Sequence, residues 1–272
     1  MTVREIAPDV FCLGPSGHTR TDVYFVRSGS SWVLVDTGWA KDAPRIEQAA
    51  QTLFGSLPAA ILLTHVHPDH SGSAARLARV WDCPVYLHPA ELPIARGEFA
   101  AMVRTAGPLD RWVVLPIMRA LGKRRREAIL AKSSLGAHAF DPRDGVPGLP
   151  DWECVPTPGH TPGHVSYFRP RDRVLLSGDA LVTVRIGAIH GALLPRPGLS
   201  GPPWYTTWNR VAARESAEKL ARLGPRVLAP GHGQPMTGDA LAQMARSRPS
   251  QYGSRSFRLY SLPFGSRGNS SR

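Results

Sequence analysis

The chain has 272 residues, 42% hydrophobic and 20% charged, a profile that fits a globular protein with a sizeable core and excludes a disordered one. Its 33 Lys and Arg against 21 Asp and Glu leave a formal charge of +12, which would attract anionic partners. Half of that excess, however, lies beyond the last acidic residue, Asp239, as Arg246, Arg248, Arg255, Arg258, Arg267 and Arg272 in a Ser- and Gly-rich stretch without hydrophobic period, read as a solvated tail. No run of about 18 apolar residues suits a membrane span, and Met1–Val10 lacks the apolar core of a secretory signal. The three cysteines, Cys12, Cys83 and Cys154, are too scattered for a disulfide framework or a thiolate zinc site. The cytoplasm is the expected compartment.

In chain order, Val10–Leu13, Val23–Val26 and Trp32–Val35 read as strands, the last two joined by a hairpin through Ser28-Gly29-Ser30. A helical period covers Ala43 to Phe54, and Ala59–Leu63 is a buried-type strand. Ser73–Val80 reads as a helix and Val85–Leu87 as a strand. From Pro89 to Lys132 helix formers dominate, interrupted by Pro93, Pro108 and Pro116, with a basic run at Lys123–Arg126; this is expected to be a helical insertion. Strand patterns return at Glu153–Pro156, His164–Phe168, Arg173–Leu176 and Arg226–Ala229, with an amphipathic helix over Asn209–Leu223. Two clusters of strands, each followed by helices, suit two sheets packed face to face with helices outside. The expected organisation is one domain over 1–245, with the insertion at about 89–132, and a basic tail over 246–272.

The strand Ala59–Leu63 runs into Thr64-His65-Val66-His67-Pro68-Asp69-His70-Ser71-Gly72. In extended backbone His65 and His67, two apart, project to one side, and Asp69 and His70 follow in the turn before the next helix. Four nitrogen or oxygen donors within six residues can converge on a small space, and imidazole with carboxylate suits zinc, with iron or manganese as alternatives. Three more metal-capable residues stand just past strand ends beside glycine: His160 in Pro158-Gly159-His160-Thr161-Pro162-Gly163-His164, Asp179 in Ser177-Gly178-Asp179, and His232 in Pro230-Gly231-His232-Gly233.

The ordered segments around Asp36, His65–His70, His160, Asp179 and His232 resemble the motifs of the metallo-β-lactamase fold superfamily, over about residues 5–240. The resemblance implies an α/β fold, a four-layer αββα sandwich, with two metal ions. It places His65, His67 and His160 on one metal, Asp69, His70 and His232 on the other, and Asp179 between them, with Asp36 as a structural carboxylate beside the site. Departures narrow the branch. Two-zinc β-lactamases usually carry cysteine where Asp179 stands, and flavo-diiron proteins carry glutamate where His67 stands. The Thr157–His164 run is closest to glyoxalase II-like thioesterases, lactonases and persulfide dioxygenases. The glutathione-binding stretch of glyoxalase II is nonetheless replaced by Ala180–Arg185, and the lactonase tyrosine by Val182.

The expected activity is therefore zinc-dependent hydrolysis of a small ester, thioester or lactone by a metal-bridging hydroxide, with Asp69 also orienting the nucleophile and moving its proton. A phosphodiesterase on the same fold and a mononuclear iron sulfur dioxygenase are the alternatives. A small-molecule substrate is the expected partner, and nucleic acid is disfavoured because no dedicated binding segment is found. His164 reads as a hydrogen-bonded core residue, and His88, His138 and His190 as surface or loop residues. His18 stands on an early loop that could line the site mouth. The apolar residues Trp112–Leu115, Ile117 and Met118, with Arg119 nearby, could cover an acyl substrate.

Overall fold

Alternation along β4 (Ser31–Val35) decides the layering, because successive side chains of a strand leave opposite faces. Trp32 and Leu34 join Ile46, Ala49 and Ala50 of α1 (Ala43–Leu53) and Leu77 and Trp81 of α3 (Ala74–Trp81) in one buried cluster. Val33 and Val35 join Val165, Tyr167, Val174, Leu176 and Ala229 in another. The computed structural model, which describes residues 3–14, 21–185 and 196–238, thus places helices on one face of the first sheet and a second sheet on the other.

The first sheet has seven strands in chain order: β1 (Val3–Ala7), β2 (Val10–Leu13), β3 (Val23–Ser28), β4, β5 (Ala60–Leu62), β6 (Val85–Leu87) and β7 (His138–Ala139). Neighbours are antiparallel as far as β4 and parallel from β4 to β7. The second sheet runs β14 (Met236–Thr237), β13 (Val227–Pro230), β10 (Val174–Gly178), β9 (Val165–Arg169), β8 (Glu153–Pro156). Its outer face, with Val155, Phe168, Leu175 and Leu228, is covered by Ala217, Leu220 and Ala221 of α8 (Arg210–Arg222). Helix, sheet, sheet, helix: this is the expected αββα sandwich. A separate two-stranded ribbon pairs β11 (Val182–Arg185) with β12 (Arg196–Ser200).

Hairpin, helices and strands read from the sequence are present, but β1, β7, β11, β12 and β14 were not expected. In β1, Arg4 and Glu5 break the apolar run and the burial is shallow; β7 and β14 have two residues each. Such strands form because a neighbouring edge offers ladder hydrogen bonds, which local composition does not record. Between β6 and β7 lie α4 (Leu92–Ala95), α5 (Phe99–Arg104), a π-helical turn (Asp110–Val114), α6 (Leu115–Ala120) and α7 (Gly122–Ser133). Here Leu115 is buried, whereas Trp112, Val113 and Ile117 are exposed, Trp112 by 82%. Among the described residues no helix is long and apolar enough to cross a membrane. His18, His190 and the tail from Arg246 onward lie outside the described residues.

Topology then fixes an edge. Strands β10 and β13 are parallel, so Asp179 and His232, just past their ends, emerge on the same side. Strand β9 is antiparallel to β10, so its start, preceded by the His160–His164 loop, lies there too. The two sheets meet at that edge: Val165 N–H donates to Thr64 O (2.9 Å) and the Tyr167 hydroxyl to Leu63 O (3.2 Å).

Candidate metal centre

All seven sequence-predicted residues meet at this edge. Three overlapping triads, His65/His67/His160, His65/His70/Asp179 and Asp69/His70/His232, each bring one donor atom per residue to within 4.8 Å of one another. The His65, His67 and His160 rings stand with centroids 4.6–4.9 Å apart. Asp179 faces both ways: Oδ2 lies 3.2 Å from His160 Nε2, while Oδ1 lies 3.3 Å from His70 Nε2 and 3.5 Å from His232 Nε2. His232 Nε2 is also 3.2 Å from Asp69 Oδ2.

Local structure explains the convergence. The chain leaves β5, and His67 precedes the short helix α2 (Pro68–Ser71), whose first residue is the proline; that turn swings Asp69 and His70 back over His65. The Ser71 hydroxyl ties the turn to Val66 O (2.9 Å). The His160 loop is anchored to α8: Trp208 N–H donates to His160 O (3.0 Å), and Asn209 N–H to Gly159 O (2.8 Å), while the Asn209 side chain caps the helix. The His232 loop is held by the Tyr24 hydroxyl on Pro230 O (2.6 Å) and by Gly231 N–H on Gly178 O (2.7 Å). Gly231 cannot carry a side chain, because a Cβ there would collide with Asp179 Oδ1 and stand 2.8 Å from His70 Cε1.

Hydrogen bonds behind the rings set their orientation. Asp36 Oδ2 accepts from His70 Nδ1 (2.7 Å) and from the Thr64 hydroxyl (2.8 Å), and Oδ1 accepts from Thr64 N–H (2.8 Å). With its proton on Asp36, Thr64 can only accept from His65 Nδ1 (3.1 Å). Both rings therefore turn Nε2 toward the cluster. His164 is buried and hydrogen-bonded, as expected, and its role is specific. Its Nε2 accepts from Asp179 N–H (3.0 Å), which puts the proton on Nδ1, donated to Thr157 Oγ1 (2.7 Å). His164 thus fixes the backbone of the carboxylate at the centre. His88 is half-buried and accepts from Ala90 N–H, and His138 is exposed on β7.

Several inward atoms lack partners. Nε2 of His65, His70 and His160 and Oδ1 of Asp179 are buried without a hydrogen bond, although buried polar groups are almost always paired. Orphaned donors from different loops, aimed at a shared space, fit a cation.

Electrostatics agree. Burial, reinforced by neighbouring imidazoles, holds His65 well below the usual histidine range and His67 down at about 3; both are neutral at pH 7, the form that binds metal. Burial pulls His70 and His232 the same way, but the carboxylates outweigh it: Asp179, Asp36 and Asp69 hold His70 well above its usual range, and Asp179 and Asp69 push His232 up to about 10. Burial would raise Asp69 and Asp179, yet the His70 and His232 charges keep both below the usual carboxylate range. Without a metal, protons on His70 and His232 balance the carboxylates.

Sequence reasoning missed Glu91 and Thr21. The Thr21 hydroxyl donates to Asp69 Oδ2 (3.3 Å). Glu91, fully buried, accepts from Val66 N–H (3.1 Å) and Gly163 N–H (2.7 Å). It stands four residues past β6 in a segment read only as helix-forming, and no spacing to the histidines marks it.

The sequence profile of the metallo-beta-lactamase superfamily matches residues 17–232. The chain is 40% identical over 223 residues to the probable metallo-hydrolase YflN of Bacillus subtilis (strain 168), covering 80% of this chain and 82% of that protein. Among solved structures it is similar to TTHA1623 in a di-iron-bound form, with 30% identity, TM-score 0.56, and coverage of 86% of this chain and 96% of that one. The metallo-beta-lactamase family protein TTHA1429 from Thermus thermophilus, at 23% identity, TM-score 0.59 and coverage of 88% and 78%, shares the fold. The αββα layering, the donors gathered at one sandwich edge and these matches agree: the chain belongs to the metallo-beta-lactamase superfamily.

Proposed function

We propose that the chain is a dinuclear metallo-hydrolase that cleaves a small ester, thioester or lactone, with zinc as the metal. The observation that carries this reading is the divided Asp179 carboxylate, one oxygen beside His160 and the other beside His70 and His232. In this reading His65, His67 and His160 would hold one ion, and Asp69, His70 and His232 the other, with Asp179 shared between the two groups. A pair of divalent cations there supplies Lewis acidity, making water nucleophilic near neutral pH and drawing charge from an acyl centre. The protein's part is to hold the donors rigid and to move a proton. We assign the proton transfer to Asp69. Its side chain is 20% exposed, against 4% for Asp179, so it reaches the solvent side while Thr21 and His232 fix Oδ2.

The substrate class draws support from the rim. Gly107, ahead of α6, packs so closely on the Thr206 backbone that a Cβ would stand 2.9 Å from its carbonyl carbon, and Trp208, two residues further on, donates its N–H to His160 O (3.0 Å). The helical segment between β6 and β7 is thereby packed beside the His160 loop, which favours a small-molecule substrate in this reading. We read it as an insertion, about 89–132, in a domain over 1–245, with 246–272 as a basic tail. Three free thiols support a cytoplasmic setting. The metallo-hydrolase name of YflN supports hydrolysis, and the di-iron form of TTHA1623 makes iron the competing metal.

Zinc-loaded protein is expected to hydrolyse members of an ester, thioester and lactone panel, and the Asp179→Ala variant to lose at least about 100-fold in rate. Equal rates for the two proteins would refute the reading.

A further inference from the structure

Glu91 has no place in the donor set, yet it is one of the few carboxylates among the described residues with no exposed surface. Burial pushes its pKa up, and an acid kept in such a place needs strong partners. Its two oxygens have them, one from each sheet. Oε2 accepts from Val66 N–H, the amide between His65 and His67. Oε1 accepts from Gly163 N–H, in the loop that carries His160. The approach at Gly163 is close: a Cβ would stand 2.8 Å from Glu91 Cγ, 2.9 Å from Oε1 and 2.9 Å from His88 Nδ1, so an added methyl would have to push the carboxylate aside. The segment that bears Glu91 begins directly after β6, which pairs with β5, the strand leading to His65. One carboxylate therefore spans both loops that supply the three-histidine group. Its Val66 partner lies between His65 and His67 and its Gly163 partner three residues past His160, whereas Asp69 and His70 follow further along the His65 turn and His232 stands in another loop.

We propose that Glu91 is a positioning residue that locks the His65–His67 loop of the first sheet to the His160–His164 loop of the second, and so sets the spacing of the three-imidazole metal pocket. The inference rests on the ligand assignment proposed above and adds an asymmetry to it. Glu91 holds both loops of the three-histidine position directly, and reaches the neighbouring position only through the turn that carries Asp69 and His70. Outer hydrogen bonds that orient metal ligands typically matter by about 10–100-fold in affinity. Glu91→Gln keeps the size and hydrogen-bonding reach of the side chain but replaces one oxygen by an NH2. Because both oxygens face backbone N–H groups, either orientation of the amide sets a donor against a donor.

The test measures zinc affinity by competition with a chromophoric chelator, on full-length protein in two backgrounds. His232→Ala retains the three-histidine pocket, and His160→Ala retains the Asp69/His70/His232 pocket; each is expected to bind one zinc tightly. Adding Glu91→Gln is expected to weaken zinc binding by about 10-fold or more in the His232→Ala protein and by less than about 3-fold in the His160→Ala protein. Equal weakening in both, or none in either, overturns the positioning role. Failure of either background to bind one zinc refutes the ligand assignment instead. Thermal melts monitor folding. Should Glu91→Gln not fold, Gly163→Ala, which presses on the same carboxylate from the opposite loop, carries the identical comparison with the same criteria.

Discussion

Asp36 sits at φ 59°, a left-handed conformation that costs a non-glycine residue about 1–2 kcal/mol. What offsets that strain is the set of hydrogen bonds its carboxylate receives from His70 and from Thr64, which together orient two of the five imidazoles. At this scale charge also sets a pH dependence. His70 and His232 have raised pKa values in the metal-free protein, so a metal must displace their protons at neutral pH; His65 and His67 are lowered and compete little. Raised pKa values make the bound proton the competitor, so apparent metal affinity rises with pH across the neutral range, and the His232 contribution to that rise ends only above about 10. Zinc titrations at pH 6, 7 and 8 are expected to tighten by roughly 10–100-fold per pH unit, with one to two protons released per zinc pair. Affinity independent of pH would show that these rings are already neutral.

Strand ends are the elements that make the site. Parallel β10 and β13 deliver Asp179 and His232, and antiparallel β9 returns the chain to the same edge with His160 in the preceding loop. The close passage of β13's exit past β10's requires glycine at 231. Gly231→Ala is expected to preserve the far-ultraviolet circular dichroism, since the sheets end before it, and to lose at least one metal equivalent by elemental analysis. Full metal occupancy in that variant would mean the loops can part without harm. Much of this was legible in the sequence. His65, His67, Asp69 and His70 share six residues, and each distant donor carries an adjoining glycine, so the donor set and its strand-end plan could be read locally. Glu91 could not, because its importance lies in two amides contributed by different sheets. Neither could β7 or β14, two-residue strands that owe their existence to a partner edge. His164 was readable as a core histidine, but its bond to the Asp179 amide depends on β9 and β10 lying side by side.

At the scale of the whole molecule the centre joins the two sheets. Its donors come from loops of both, and beyond it the sheets are held mainly by the apolar layer of Val33, Val35, Tyr167, Val174 and Leu176. A ligand that binds only the folded state stabilises it by about 4 kcal/mol at a thousandfold excess over Kd. For a domain of this size that corresponds to roughly 8–16 °C in Tm. Chelation followed by a thermal melt is expected to lower Tm by about that amount, with recovery on adding zinc back. An unchanged Tm would mean that the cluster binds metal too weakly to tie the layers together.

Central to the proposed function is that seven side chains from four loops grip a pair of ions. Anomalous diffraction from zinc-loaded crystals tests this directly. Two peaks are expected, one among His65, His67 and His160, the other among Asp69, His70 and His232, with Asp179 between them. A single peak, or peaks away from these residues, would contradict it.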